Sequence, residues 1–408
     1  MTTFRPLHIT TFAITLLINT VATPSAGRCD TLGQEMCEMV TEQTVLVYRA
    51  PNRNTAVIAK IYPRTKLMAN KLAKMQDCPE GWYGREGNGY ICGKHLRPVK
   101  PGEDGFSRED SPEIRNGMSA GMITARKSKV YRKSKRTGGL KSIEEVIKGS
   151  ILSGTPDVEI DDTLFFETRQ GLYVPMENVS LLPEPIETLA IPVPSPEQAP
   201  VAVVIGDAPT VFETPRETSA PLRTLTKWQA VLPTGSNGIE DSGEFVKLPQ
   251  GGFVKKDQLS LVREVPRPKK MIPDEKWIAV DLREQLLFAF EGDRLIRLIP
   301  CSTGVRDNTD KGHFVIQKKI RQQTMRLRAG KQRVEDVQWV MYYDKDNAIA
   351  IHSAYWHREF GTPKSHGCVN LPTDDARWLF EWSDPPVSPS DSETIPLPRE
   401  SGTKVIVF

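Results

Sequence analysis

The chain has 408 residues, enough for two to four domains. It is 38% hydrophobic and 26% charged, with 32 prolines, which suits soluble globular modules joined by stiff connectors. Its 54 basic and 51 acidic side chains leave a formal charge of +3, too balanced to demand nucleic acid, so no nucleic-acid partner is expected.

Residues 1–27 read as an export signal. Arg5 gives a short basic start, Ile9 to Val21 an apolar run broken by threonines and an asparagine, and Ala22 and Ser25 to Gly27 the small residues of a cleavage region. The bland alternative is a buried N-terminal helix. A lipid anchor at Cys29 is disfavoured by Arg28 just before it. The apolar run is short and polar for a membrane span and no other stretch approaches one, so no span is expected after signal removal. The expected location is outside the cytoplasm, in the periplasm or cell wall.

Four of the six cysteines, Cys29, Cys37, Cys78 and Cys92, fall in the first hundred residues. In an oxidising compartment four such thiols are expected to form two bridges, with three pairings open. Their spacings of 8, 41 and 14 residues suit a four-cysteine zinc site poorly. Cys301 ends the apolar run Leu298-Ile299-Pro300 and reads as a small core residue. Cys368 lies in a polar, turn-rich stretch where a structural cysteine is less expected.

An internal repeat precedes residue 265. Thr44-Val45-Leu46-Val47-Tyr48-Arg49, Ser128-Lys129-Val130-Tyr131-Arg132 and Pro209-Thr210-Val211-Phe212-Glu213 start three units. Gly89-Tyr90-Ile91, Gly171-Leu172-Tyr173-Val174 and Gly252-Phe253-Val254 end them. The aromatic-to-aromatic distance is 42, 42 and 41 residues, and successive starts are 83 and 81 apart. A fixed period argues for duplicated units, and each alternates short β-type runs with turn residues. Val47-Tyr48-Arg49-Ala50-Pro51, Val57-Ile58-Ala59, Gly81-Trp82-Tyr83-Gly84 and Gly89-Tyr90-Ile91 resemble a bacterial SH3-like domain. The second and third units match at their ends. The resemblance implies small β-barrels at 40–100, 120–183 and 201–264, whose aromatics either fill the core or line a groove. Connectors at 98–119, at 183–200 with six prolines, and from Glu264 to Pro273 separate the modules.

From Lys276 the texture changes. Trp277 to Leu282 and Leu286 to Phe290 predict a hairpin around Arg283-Glu284-Gln285, followed by a turn at Glu291-Gly292-Asp293. Strands are expected at Leu295 to Cys301, His313 to Gln317, Trp339 to Tyr343, Ala348 to Ile351 and Lys404 to Phe408. One helix is expected, with Thr373 as N-cap, Asp374 and Asp375 in its first turn, and Ala376, Leu379, Phe380 and Trp382 as its apolar stripe. The fold class is therefore mainly β, with one short helix near the site.

The strand ending at Ile351 delivers His352, and Ser365-His366-Gly367-Cys368-Val369-Asn370 follows, with Cys368 sixteen residues after His352. A thiolate attacks where a thiol does not, and an imidazole can take the thiol proton and return it to a leaving amine. Glycine before the cysteine permits a sharp turn and leaves amide N–H groups for an oxyanion. Other readings are zinc bound by His352, His357, His366 and Cys368, a Cys301–Cys368 bridge, or an ordinary turn in an inactive domain. No HExxH or paired CxxC supports zinc.

Residues 275–408 resemble an L,D-transpeptidase catalytic domain of the YkuD type. The resemblance rests on Ile351-His352-Ser353 and on Ser365 to Asn370, with upstream support from Ser302-Thr303-Gly304 and Thr309-Asp310-Lys311-Gly312-His313-Phe314. It implies a β-sandwich and a cofactor-free, metal-free enzyme acting on peptidoglycan. A cysteine acyl-enzyme would release D-alanine from a tetrapeptide stem and form a 3→3 cross-link. In it Cys368 would be the nucleophile and His352 its base, with the Ser353 carbonyl orienting the imidazole. The Gly367 and Cys368 amides would bind the oxyanion, and His366 would lie in the site. Asn370, Ser365 and Tyr355 are the candidate substrate contacts. Ser353 stands where many members have glycine, Asn370 where many have arginine, and Asp310 where the upstream motif has proline. The same acyl-enzyme could instead be hydrolysed, as in an L,D-carboxypeptidase, or passed to a protein amine. A reading of another class is a non-catalytic wall-binding protein.

Overall fold

A computed structural model describes residues 36–408 apart from 73–76, 101–118, 194, 196–197, 235–237, 269, 328–331, 345, 397 and 399–400. The export signal expected at 1–27, Cys29 and most of the first connector lie outside the described residues.

The first repeated segment contains strands Cys37–Thr41, Val45–Tyr48, Val57–Ile61, Lys66–Lys71, Trp82–Arg85, Tyr90–Cys92 and Leu96–Pro98. Its first strand pairs with the fourth and seventh, its second with the third and sixth, and its fifth with the fourth and sixth. The second segment repeats that scheme with Ser119–Ile123, Lys127–Lys133, Leu140–Ile147, Ile151–Ile160, Thr163–Thr168, Leu172–Pro175 and Val179–Leu181. The third pairs Ala202–Val204 with Ala230–Val231 and Leu259–Leu261, and Thr210–Phe212 with Pro221–Thr224 and Phe253–Lys255, in separate sheets. The repeated aromatics are cross-strand partners: Tyr48 opposite Tyr90, Tyr131 opposite Tyr173, and Phe212 opposite Phe253. The period in the sequence is thus the spacing of one register contact. In each unit a third ring meets the first edge-to-face: Trp82 on Tyr48 at 5.4 Å, Phe165 on Tyr131 at 6.1 Å and Phe245 on Phe212 at 6.2 Å.

Closed barrels were expected, but among the described residues no barrel closes. In the first unit the edge strand Val57–Ile61 pairs instead with Glu393–Thr394 of the C-terminal region. Its free edge is satisfied by another module rather than by its own first strand. Cys78 and Cys92 of this unit form a disulfide. The second expected bridge involves Cys29 and lies outside the described residues.

The C-terminal region is a sandwich of two sheets. One runs in the order Ile191–Pro192, Arg294–Pro300, Leu286–Glu291, Lys276–Asp281, Lys404–Val407, Gly312–Val315. The other contains Lys318–Leu327, Gln332–Asp344, Ile349–Ser353 and Val369–Leu371. Alternation along Lys276–Asp281 sends Ile278 and Val280 into the core between the sheets, where they meet Met341, Ile351, Val369 and Phe380. Trp277 and Ala279 face the other way and share a second cluster with Val203 of the third unit. The outer face of the other sheet packs Val334, Val337 and Ala350 against Ala120 and Ile151 of the second unit. Both sheets are therefore covered on both faces, which explains apolar runs where a solvated face would alternate.

Two expectations need correction, and one strand was not expected. The helix spans Thr373–Trp382 with Pro372 at its N-cap, and Thr373 makes no cap bond; its buried hydroxyl has no hydrogen-bond partner. The connector at 183–200 is more than a spacer. Ile191–Pro192 forms an edge strand of the sandwich, and Asp375 accepts hydrogen bonds from Leu189 N at 2.6 Å and Thr188 Oγ1 at 2.7 Å. Lys318–Leu327, rich in Lys, Arg and Gln, is a ten-residue strand that hydrophobic patterning hides.

Candidate active site

Strands Ile349–Ser353 and Val369–Leu371 lie parallel, with Ile351 opposite Val369, His352 opposite Asn370 and Ser353 opposite Leu371. Ile351 and Val369 point into the sandwich core. His352 and Asn370 therefore take the opposite face, and Cys368, two residues before Asn370, packs on the outer cluster that contains Ala350. The register thus carries the distant histidine to the cysteine's strand, while the adjacent His366 is exposed.

His352 is 3% exposed, and its Nδ1 lies 2.8 Å from the Ser353 carbonyl oxygen. A carbonyl can only accept, so Nδ1 carries the proton and Nε2 the lone pair. Burial holds the imidazole down at about 4, below its ordinary 6.5; the Ser353 carbonyl pulls it up and nearby His357 pushes it further down. Burial also pushes the half-buried Cys368 thiol up to about 11, opposed by the Ala350 amide. The resting pair at neutral pH is a thiol and a neutral base. Ser353 is held in turn: its hydroxyl donates to Gln338 O at 3.0 Å and accepts from Gln338 N at 3.2 Å.

The loop bearing Cys368 is stitched to the Ser302-Thr303-Gly304 segment. Asn370 and Ser302 exchange backbone bonds of 2.8 and 3.0 Å, and the Thr303 carbonyl accepts from Lys364 N and Ser365 N. Thr309 Oγ1 donates to Gly367 O at 2.7 Å and accepts from Gly304 N at 2.8 Å. Gly367 has φ +151, and a Cβ there would meet Ile349 Cδ1 at 2.7 Å and Asn308 O at 3.0 Å, so no larger residue fits unstrained.

Residues 275–407 match the family model for the YkuD L,D-transpeptidase catalytic domain. This domain belongs to the YkuD family. The strand end Ile351–Ser353 and the Ser365–Asn370 loop just described lie within it. No match was found among curated proteins. Solved structures with some likeness include an L,D-transpeptidase from Xylanimonas cellulosilytica, at 21% identity over 36% of this chain and 65% of that one, TM-score 0.25. A mutant Enterococcus faecium L,D-transpeptidase shares 22% over 33% of this chain and 50% of that one, TM-score 0.27. One from Mycobacterium smegmatis shares 16% over 56% and 90%, TM-score 0.27. The chain spans about half to two thirds of the first two, and the family assignment rests on the domain match alone.

Cys301 and Cys368 are both unbridged, and Cys301 is fully buried with its thiol pushed far up by burial. Among the described residues, the grouping with metal-ligand geometry is Cys78, Glu80 and Cys92, whose two sulfurs are joined. His352, His357, His366 and Cys368 form no such group among the described residues.

The expected substrate contacts fare less well. Tyr355 is 2% exposed, and its hydroxyl donates to Glu335 O at 2.6 Å, so it offers no surface to a substrate. Asn370 is buried too, its Nδ2 lying 3.0 Å from His357 Nε2. Ser365 works inside the loop, donating to Cys368 O at 2.5 Å and accepting from Gly367 N at 3.0 Å. The Gly367 amide, expected to face an oxyanion, is thereby engaged. Sequence reasoning missed His357 as the partner of Asn370, and Thr309 as the clamp between the two loops. Thr309 opens the segment Thr309–Phe314, whose resemblance to the upstream family motif was the one signal that could have found it.

Proposed function

We propose that this chain is an exported peptidoglycan L,D-transpeptidase with Cys368 as nucleophile and His352 as base. The observation that carries the reading is the parallel register of the two site strands. It sets a buried histidine, its Nδ1 fixed on the Ser353 carbonyl, beside the strand that Cys368 leads. The Nε2 lone pair takes the thiol proton as sulfur attacks the carbonyl of the third stem residue. The Cys368 amide is the oxyanion donor, and the Gly367 amide joins it if Ser365 turns away. Collapse expels D-alanine, whose amine takes the proton from His352, and leaves a thioester. The side-chain amine of a second stem then attacks, gives its proton to His352 and displaces the sulfur, forming the 3→3 link. The repeated units are read as SH3-like modules that position the enzyme on the wall or on a partner.

The test incubates the purified chain with a defined tetrapeptide stem and reads products by mass spectrometry. A cross-linked dimer with release of D-alanine, absent in Cys368→Ala, supports the reading. A trimmed tripeptide alone would make the enzyme a carboxypeptidase, and dimers undiminished in Cys368→Ala would sink the nucleophile. The Enterococcus faecium catalytic domain has been solved acylated by ertapenem, which makes that carbapenem a convenient acylating probe here.

A further inference from the structure

The loop that follows His352 is clamped between the catalytic base and the second repeated unit. Tyr355 and Trp356 meet edge-to-face at 5.2 Å, and Trp356 lies against the His352 ring at 5.9 Å and 29°. On its far side Tyr355 shares a crevice with Ala120, Ser153, Leu182 and Pro183. Its hydroxyl is tied to the carbonyl of Glu335. Glu335 is ion-paired to Arg333 at 2.9 Å, and Arg333 reaches Glu144 of the second unit at 2.6 Å. Ser153 of that unit donates to the Asp336 carboxylate, and Gln332 donates to Gly149 O at 2.8 Å.

These anchors all sit at the start of strand Gln332–Asp344. Its next residues include Gln338, whose backbone holds the Ser353 hydroxyl. Two routes therefore run from the second unit to His352. One is the aromatic pair Tyr355–Trp356. The other is the strand itself, through Gln338 and Ser353.

We propose that the second unit, residues 119–182, positions the catalytic base, with Tyr355 as the positioning residue that transmits its docking to His352. This rests on His352 being the base of the proposed reaction. Tyr355 touches neither substrate nor sulfur; it sets the ring of Trp356 and, through it, the plane of the imidazole. An imidazole that drifts loses reach to the thiol while the cysteine loop, stitched separately through Thr309, stays in place.

The experiment uses the full chain and two variants outside the reacting groups. Glu144→Gln breaks the anchor from the second unit, at a side chain that is 38% exposed. Tyr355→Phe keeps the ring and removes its tether. Three quantities are measured: the plateau rate and half-saturation of ertapenem acylation, the thermal midpoint, and the His352 titration by NMR of labelled histidine, assigned with His352→Gln. Both variants are expected to lower the plateau rate about fivefold or more. Half-saturation should stay unchanged, the thermal midpoint should hold in Glu144→Gln and fall only slightly in Tyr355→Phe for its one lost hydrogen bond, the His352 titration should move up toward its ordinary value, and Glu144→Asp should restore the rate. Wild-type rates and titration in both folded variants overturn the proposal. So does a loss of rate that follows a larger fall in thermal midpoint, which marks a merely structural role. If ertapenem fails to acylate even the wild type while the titration shifts as expected, the transpeptidase reading fails and the positioning stands.

Discussion

His352 and Cys368 illustrate how burial sets a resting protonation state. With the thiol held near 11 and the imidazole near 4, the proposed mechanism has proton transfer accompany attack rather than precede it. Iodoacetamide should therefore label Cys368 more slowly at pH 7.5 than it labels a peptide cysteine, with a rate that climbs until about pH 11. A fast plateau near neutrality would mean a preformed thiolate. His352→Gln should lower ertapenem acylation by about 10²–10⁴-fold, the usual weight of a general base. The same depressed imidazoles make the fold acid-sensitive. His352 and His357 are each lowered to about 4 from 6.5, so the unfolded chain gains protons first as pH falls. Their stability is whole above pH 6.5 and lost by about pH 4, at about 3 kcal/mol each. Glu335 runs oppositely: burial raises it to about 7 from 4.5, so its contribution is whole below 4.5 and fades as pH rises through 7. Urea midpoints of His357→Gln should fall less steeply than wild type between pH 6.5 and 4; an unchanged slope would remove His357 from the acid response. At this scale the sequence offers Cys368 and His352 as the proposed pair because motif and spacing name residue types. It misplaced Tyr355 and Asn370, because a motif does not say which side of a sheet is covered by another module.

The strands were legible where apolar residues dominate, as in Lys276–Asp281 and Leu286–Glu291, and hidden where they do not. Lys318–Leu327 carries Lys319, whose ammonium is fully buried and donates to the carbonyls of Phe380, Ser383 and Pro385, the last two at 2.9 Å. A lysine in a core strand reads as solvent-facing until the helix end that it caps is known. Phe380 and Ser383 lie at the C-terminus of Thr373–Trp382, where carbonyls lack helical partners and attract a cation. At the other end Asp375 receives the Thr188 hydroxyl and the Leu189 amide, tying the proline-rich connector to the helix. Lys319→Met fills similar volume but strands three carbonyls. It should cost about 3 kcal/mol or more, read as a lower chemical-denaturation midpoint at unchanged slope. A loss below about 1 kcal/mol would show that water replaces the ammonium at those carbonyls.

For the molecule as a whole, the period in the sequence is the spacing of one register contact, Tyr48 with Tyr90, Tyr131 with Tyr173 and Phe212 with Phe253. What the period could not announce is that the units use their edges and faces on the C-terminal sandwich. Such contacts are made between elements hundreds of residues apart and have no local pattern. The first unit is held by Val57–Ile61 on Glu393–Thr394, by Lys60 and Lys318 on Glu393 at 3.1 and 3.0 Å, and by the buried pair Arg85–Asp391, whose second bond is 3.2 Å. The side chains of that pair are 2% and 3% exposed. Removing one charge leaves the other buried without a counter-ion, at a cost of about 3–5 kcal/mol, whereas replacing both by apolar residues is nearly neutral. Arg85→Met alone should therefore release the first unit. Amide exchange should quicken in Val57–Ile61 and Glu393–Thr394 together, while the core strands Lys276–Asp281 and Gln332–Asp344 stay protected. Adding Asp391→Leu to Arg85→Met should restore protection at both edges, because the β-pairing survives once no lone carboxylate must be buried. If the double variant exchanges as fast as the single one, the charge pair itself docks the unit, and the shared strand edge contributes little.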